Sequence, residues 1–538
     1  MVSGSDNTEA TMSVFEAADG PGEVLSKVKE YGSTGRSSLI LDEGESAIGK
    51  LRLVGVYDDR QEGHFMLRIR VPGGRLNWRQ AEVIGEAAEQ FAIRPDWERS
   101  TPQQFLEITT RQDIQLHWIR LDHLPEIWAR LEEVGVTSLQ ACGDTTRNIT
   151  SCPVAGLDPH EVMDVSPLVQ QMNRYVLEHP EYGAFLPRKF KIAITGCRDD
   201  CILARINDLA FVPARRDAEV GFNIYGGGGL SDYPRLASDL DLFVTPEEVV
   251  SALKASVQVY KDFGDYENKA VNRFRRVVEE LGIEATRREV AERLPFAARS
   301  AGEELSQGSR HDHVGVHAQR QPGQSYVGLA VPVGRMRGQE MIEAARLAHT
   351  YGDGGVRLTQ RQNLVITGVA NERAEALVEE PLLQKFTPRP ATFARSVVAC
   401  TSSPFCKFGI LPAKELGLRL SSSLDQAFAG NDLGSLKLHV SGCKASCAQV
   451  QIADVGLRAT LTKDEDSLYE AVDVSMGGSL GDGRLAEWVA LEVPVPKVQQ
   501  GLHELLTVYQ DQRADSETFG QYVRRLDQAT LRSYFQEV

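Results

Sequence analysis

Lys437-Leu438-His439-Val440-Ser441-Gly442-Cys443-Lys444-Ala445-Ser446-Cys447 has a twin earlier in the chain. It is Lys191-Ile192-Ala193-Ile194-Thr195-Gly196-Cys197-Arg198-Asp199-Asp200-Cys201, at an offset of 246 positions (197 to 443). The match continues through Ile206 and Asp208 against Ile452 and Asp454. Two more landmarks repeat in the same order. Val331-Pro332-Val333-Gly334-Arg335 answers Val71-Pro72-Gly73-Gly74-Arg75 at an offset of 260 (71 to 331), and Leu358-Thr359-Gln360-Arg361-Gln362-Asn363 answers Ile108-Thr109-Thr110-Arg111-Gln112-Asp113 at 250 (111 to 361). Three ordered landmarks with similar offsets mean one duplicated unit, far longer than any solenoid repeat.

The second copy carries an additional pair, Ala399-Cys400-Thr401-Ser402-Ser403-Pro404-Phe405-Cys406. Four of the chain's eight cysteines therefore fall between 400 and 447, with five residues inside the first pair and three inside the second. Four thiolates are the ligand set of an iron–sulfur cubane. Zinc is the competing reading, and its tight Cys-x2–4-Cys hooks fit the wider first pair poorly. Buried, unrelated thiols are the third reading.

Composition bounds the rest. A chain of 538 residues, 42% hydrophobic and 25% charged, is globular and exceeds one ordinary core. Its net charge of −16 argues against general binding to nucleic acid or to an anionic membrane. No run has the length of a membrane span, and the N-terminus lacks a secretory pattern. Cysteines in a large chain without an export signal point to the cytoplasm.

Along the chain, residues 1–48 are polar and Gly/Ser-rich, and are expected as an arm with one helical patch near 24–31. Residues 65–71 alternate as a strand with Arg68 and Arg70 on one face. Val83, Ile84, Ala87, Ala88 and Phe91 make a helical stripe, followed by strands over 105–110 and 114–119 and a helix over 124–134. His311, His313 and His317 lie in a polar linker, 301–324, and exposure there is a better reading than a metal. Gly226 to Gly229 lack the strand–turn–helix setting and acidic partner of a dinucleotide site, and read as a tight turn or a close backbone approach. Electrons for any reduction then come from outside the chain.

A duplicated protein leaves a cleft between its halves, where cofactors tend to sit. Arg68, Arg70, Arg111, Arg147 and the run Leu186-Pro187-Arg188-Lys189-Phe190-Lys191 are candidate lining. Cations crowded in this way repel one another unless an anion neutralises them. The bland alternative is a solvated charged surface.

With these residues in hand, the chain resembles the siroheme and [4Fe–4S] nitrite/sulfite reductase family from about Leu51 to the C-terminus. It is most similar to the single-chain, ferredoxin-dependent members. The motifs are Phe65-Met66-Leu67-Arg68-Ile69-Arg70, 109–117, 186–191 and the two cysteine pairs. The resemblance implies an α/β (α+β) fold, internally duplicated about a pseudo-two-fold axis. Two ferredoxin-like half-domains (49–135 and 325–390) accompany two larger siroheme and [4Fe–4S] domains (136–300 and 391–538).

It further implies that Cys400, Cys406, Cys443 and Cys447 hold the cluster, and that Cys447 also bridges to the siroheme iron. Arg68, Arg147, Lys189 and Lys191 match the positions around the substrate anion. Thr109, Arg111, Gln115, His117, Arg188 and Gln362 match positions that contact siroheme. Six-electron reduction of sulfite to sulfide is the expected reaction, with reduced ferredoxin as partner and a monomeric protein. Nitrite reduction is the alternative, and a precorrin-3B synthase-like oxygenase a remoter one. Sulfite is preferred because nitrite-reducing members frequently carry Asn where Lys191 stands, and because Tyr57 and Cys142 match a Tyr–Cys crosslink of a related actinobacterial sulfite reductase. The family's usual Pro-Asn between the second pair is replaced by Lys444-Ala445. Cys197 and Cys201 read as buried or relict thiols, with a second metal site as the lesser alternative.

Overall fold

The alternating run at 65–71 does form a strand, Phe65–Ile69, but its sheet is not built from one copy alone. The structure is a computed structural model and describes residues 14–94, 104–269, 272–307, 312–464 and 467–536. In the first sheet Val56–Asp58, Phe65–Ile69, Ile114–Ile119 and Phe105–Ile108 lie side by side, and the fifth strand is Arg335–Arg337 from the second copy. The second sheet reciprocates: Gly315–Ala318, Gln324–Leu329, Leu364–Ala370 and Gly355–Leu358 are completed by Arg75–Asn77. Each ferredoxin-like half thus closes the edge of the other, which removes two exposed edges and joins both into one core.

The twins match down to backbone torsions. Gly73 and Val333 are both left-handed (φ 61 and 54), and so are Gln112 and Gln362 (φ 62 and 63). A β-branched residue there is strained. The Val333 carbonyl accepts a hydrogen bond from the buried Lys414 ammonium, which helps hold the turn.

Helices Trp78–Phe91 and Gly338–Tyr351 pack across the pseudo-two-fold axis at their glycines. A Cβ on Gly85 would lie 2.8 Å from the Gly338 carbonyl oxygen and 3.0 Å from the Ile342 nitrogen. Gly85→Val should therefore destabilise the protein by about 1–3 kcal/mol through overpacking. The check is a lowered denaturant midpoint at unchanged m-value.

The two larger domains share one topology. Thr146–Ser151, Phe190–Ile194 and Leu209–Arg216 run parallel, and Glu219–Gly226 and Ser238–Val244 continue antiparallel. Val397–Ala399, Leu438–Ser441 and Val455–Asp464, then Ser467–Met476 and Glu487–Pro494, repeat that order and sense. Ile192 faces Leu209 as Leu438 faces Val455, so the offset of 246 seen at the cysteines holds in the sheet register. Cys400 and Cys443 follow the carboxyl ends of adjacent parallel strands, the end where open α/β sheets bind ligands.

Two segments differ from their sequence expectations, and the glycine run agrees with its own. The described part of the arm, 14–48, is folded: Pro21–Ser33 packs on Leu124–Glu133, with Val24, Val28 and Ile40 fully buried. Its driving force is the Val24/Val28 pair, one turn apart on a single face. Within 301–324, Glu303–Glu304 pairs with Leu209–Arg216 and Gly315–Ala318 is the outer strand of the second sheet. His311 lies outside the described residues, whereas His313 is buried at 3% exposure. At the glycine run, a Cβ on Gly228 would come 2.6 Å from the Asn207 carbonyl oxygen, so close backbone approach explains it. Among the described residues no helix is long and apolar enough to cross a membrane.

Candidate functional site

Parallel strand ends bring the four thiols of Cys400, Cys406, Cys443 and Cys447 to one place. The loops carrying them are tied together: Ile410 N–H donates to the Gly442 carbonyl at 2.9 Å, and Gly442 N–H donates to the Cys400 sulfur at 3.1 Å. Burial pushes the Cys400 thiol up, and the charges of Cys447, Cys443 and Cys406 push it further, so all four are within electrostatic reach. Yet among the described residues no three of these sulfurs lie within 4.8 Å of one another. One tetrahedral zinc with Zn–S bonds of about 2.3 Å brings its sulfurs to about 3.8 Å. The wider set fits a polynuclear cluster, and the donor chemistry, four thiols and no imidazole, agrees.

Below the first loop lies a buried charged network that the sequence reading did not nominate. Thr401 donates to Glu107 at 2.6 Å and to Gln115 at 3.0 Å. Arg335 pairs with Glu107 at 2.8 Å and Lys414 approaches it at 3.7 Å. Although burial raises it, Glu107 is held well below the usual carboxylate range by Lys414 and Arg335. A charged residue within the apolar run Phe105-Leu106-Glu107-Ile108 was the available signal.

The cationic residues face this centre from the first copy. Arg68 and Arg147 both donate to the Ala141 carbonyl at 3.2 Å, which sets their guanidiniums side by side. Burial and then Arg68 push Arg147 down to about 10. Lys189 is pushed down to about 8, first by burial and then by Arg273 and Arg147. Lys191 is driven well below the ordinary lysine value by burial, Arg111, Arg273 and Lys189. Neither ammonium makes a hydrogen bond or ion pair among the described residues. Arg68 Nε and Arg111 Nε are likewise buried without partners. Cys447 acts in the opposite sense on Arg68, Lys189 and Lys191, raising all three, so the exposed cysteine lies within electrostatic reach of the cations. Uncompensated cations beside a thiol centre suit a polycarboxylate cofactor and a small anion.

The expected siroheme contacts divide. Arg111 is anchored by Asn207 Oδ1 at 2.8 Å and the Asn148 carbonyl at 2.6 Å, with its Nε left over. Thr109 Oγ accepts from Arg111 and Asp113 N–H and shapes the turn that carries Arg111. Gln115 is buried and accepts from Thr401. Arg188 pairs with Asp144 at 3.2 Å. His117 is enclosed, 1% exposed, against the Phe405 ring at 4.1 Å and between Asp59 and Glu107; against burial, these carboxylates hold its pKa up. Gln362 donates to the Ile108 and Ala399 carbonyls and accepts from Ala399 N–H, so its amide is committed to the strand leading into Cys400. These last two side chains are enclosed by protein and do not reach the cleft; they position the loop of the first cysteine pair.

Two further residues belong to the pocket and were missed. Arg273, in a buried pair with Asp208 at 2.6 Å, lowers both lysines. Asn148 donates to the Val71 and Arg111 carbonyls and fixes two of the lining segments. The basic run Arg273-Phe274-Arg275-Arg276 was the only hint of the former. Tyr57 and Cys142 are close enough for the thiol's charge to act on the phenol.

Comparison with known proteins follows the same division of the chain. The family model described as the nitrite and sulphite reductase 4Fe-4S domain matches residues 142–297 and 391–538. That of the nitrite/sulfite reductase ferredoxin-like half domain matches 57–134 and 317–383. The assimilatory ferredoxin-dependent nitrite reductase of Haloferax mediterranei is 38% identical over 522 residues, 93% of this chain and 89% of that protein. A ferredoxin–nitrite reductase of Synechococcus elongatus is 35% identical over 492 residues, covering 90% and 93%. Among solved structures, the Mycobacterium tuberculosis NirA protein superposes with a TM-score of 0.85 at 26% identity, covering 95% of this chain and 97% of that one.

Proposed function

The chain belongs to the nitrite and sulphite reductase family, a siroheme and [4Fe–4S] oxidoreductase family, and from that premise we propose that it reduces nitrite to ammonium with electrons from a reduced ferredoxin. The observation that carries the reading is that Cys447, its carbonyl tied at 3.0 Å to Thr110 beside Arg111, lies within electrostatic reach of Arg68, Lys189 and Lys191. Nitrite takes precedence over sulfite, the substrate favoured on sequence grounds, because the similar relatives bear nitrite in their names.

Cys400, Cys406, Cys443 and Cys447 hold the cluster, and Arg68, Arg111 and Arg147 neutralise siroheme carboxylates and the substrate anion. The coupled cofactors supply single electrons and an iron that binds the substrate. Arginine keeps its proton at any working pH, so Arg68 and Arg147 orient and neutralise. Nitrite reduction consumes protons with every electron pair, and the depressed pKa values of Lys189 and Lys191 suit proton donors. The exposed Phe408 and Lys444 beside the cysteines offer an apolar and a basic contact for an acidic ferredoxin, next to Lys407, which is paired with Asp58.

Anaerobic turnover of nitrite and sulfite side by side, with reduced ferredoxin, tests the proposal. Nitrite should give the higher kcat/KM. A sulfite reductase that ignores nitrite would overturn it. Sulfite keeps a claim through the lysine pair, since two ammonium groups match a doubly charged anion. Lys191→Asn should therefore raise the nitrite-to-sulfite ratio of kcat/KM by about tenfold, the loss of one charge–charge contact of about 1.4 kcal/mol. An unchanged ratio removes Lys191 as the discriminator.

A further inference from the structure

The twin of the cluster-binding loop pair is itself a ligand set. In the first copy Ser151 pairs with Ile194 as Ala399 pairs with Val440 in the second, which makes Cys152 the counterpart of Cys400. Cys197 and Cys201 are the counterparts of Cys443 and Cys447. Counting on from Cys152, the position of Cys406 falls on Asp158. The first copy therefore keeps three of four thiols and has lost the last.

A histidine from elsewhere approaches these thiols. His313, which leads into the strand Gly315–Ala318, turns its Nε2 toward Cys152 Sγ at 3.9 Å. Among the described residues, Cys152, Cys201 and His313 are the one group of potential metal ligands whose donor atoms all lie within 4.8 Å of one another. Cys197 flanks this triad, its thiol donating to Asp158 Oδ2 at 3.4 Å. All four side chains are buried, at 1, 4, 8 and 3% exposure for Cys152, Cys197, Cys201 and His313.

We propose that Cys152, Cys197, Cys201 and His313 form a second metal centre, a structural Zn²⁺ site distinct from the cluster. Three sulfurs and one imidazole nitrogen are a common zinc set, and Cys197-x3-Cys201 has the short spacing of a zinc hook. The separation from the cluster site is geometric. No three of the thiols at 400–447 lie within 4.8 Å of one another, whereas the donor atoms of Cys152, Cys201 and His313 do; Cys197 stands outside that triad and closes onto the ion as the fourth ligand. Outer contacts also fit. His313 Nδ1 meets the Tyr326 hydroxyl at 3.5 Å, which directs Nε2 inward as metal-bound imidazoles require. Asp199 N–H points at the Cys197 sulfur at 3.4 Å, a contact that favours thiolate. A cavity of about 520 Å³, lined by Asp158, His160, Cys197 and Tyr326 among others, gives access from solvent.

Binding replaces the thiol protons with Zn²⁺ and releases them to solvent, with no change of oxidation state. It also frees Asp158 Oδ2, which accepts from the Cys197 thiol at 3.4 Å, to turn toward the cavity. Because His313 belongs to the second ferredoxin-like sheet and the thiols to the first large domain, the ion pins the two copies together at a point far along the chain from the cluster. The inference stands on these four residues and does not depend on which anion is reduced.

The test is metal analysis of the full-length holoenzyme purified without chelator, with zinc K-edge absorption on the same sample. About one zinc per chain is expected, in a shell of about three sulfurs at 2.3 Å and one nitrogen at 2.0–2.1 Å. Cys201→Ser should lower zinc content at least about tenfold while leaving the cluster and siroheme absorption in place. His313→Cys, which keeps a four-ligand set, should retain zinc and guards against a misfolded serine variant. Substoichiometric zinc, a shell of only nitrogen and oxygen, a Cys197–Cys201 disulfide, or extra iron in place of zinc would each overturn the proposal.

Discussion

Cys447→Ser lowers kcat/KM for nitrite by at least about 10³-fold, about 4 kcal/mol of barrier. The visible absorption and iron content of the cluster fall with it. Cys447 is the member of the cluster set whose charge acts on the cations of the opposite copy, raising Arg68, Lys189 and Lys191 against their burial. It is also the exposed one, while Cys400, Cys406 and Cys443 are half-buried. A serine hydroxyl is a poor ligand for iron, because its proton is held far more tightly than that of a thiol. The substitution therefore breaks the electron path at its contact with the substrate pocket. Cys201→Ser, its twin, is the control: it removes zinc and leaves cluster iron intact. A Cys447→Ser protein that retained both its cluster spectrum and nitrite turnover would remove Cys447 from the electron path.

The duplication was legible because it is written in residue identity. The Gly-Cys-x3-Cys twins, the Val-Pro-x-Gly-Arg turns and the Thr-x-Arg-Gln turns each need a particular side chain at a particular torsion. The reciprocal strand exchange was not legible. Arg75–Asn77 and Arg335–Arg337 are only three residues each, and nothing local says that their partners lie in the other copy. The same limit hid the Cys152–His313 pairing. Cys152 and His313 are separated by 161 positions, and the polar composition of 301–324 concealed a buried histidine.

Within the candidate site the cations were easy to nominate, since charge clusters are costly without a purpose. Their supports were harder. Glu107 and Glu415 with Arg335 and Lys414 form a compensated interior network, and a compensated network has no excess charge to betray it. Gln362, nominated as a cofactor contact from the family resemblance, has its amide bonded to Ile108 and Ala399 and so bears on the cluster loop through the backbone.

Lys189→Met with Lys191→Met lowers kcat by about 10²–10⁴-fold, the usual contribution of positioned proton donors. Siroheme and cluster spectra should be unchanged, because neither lysine is among the thiol ligands. The pH profile carries the sharper information. Lys189 sits at about 8, held down by burial and then by Arg273 and Arg147. Below that value it carries the proton it must give; above it the donor is spent. In the wild type kcat therefore falls as pH rises through about 8, with a bound anion moving the limb upward by favouring the charged form. Lys189→Arg separates charge from proton supply. A guanidinium still attracts the anion but does not release its proton in this range. KM for nitrite should stay near the wild-type value, kcat should fall, and the alkaline limb assigned to Lys189 should vanish. If that limb persists in Lys189→Arg, another group titrates there and Lys189 serves the anion by charge alone.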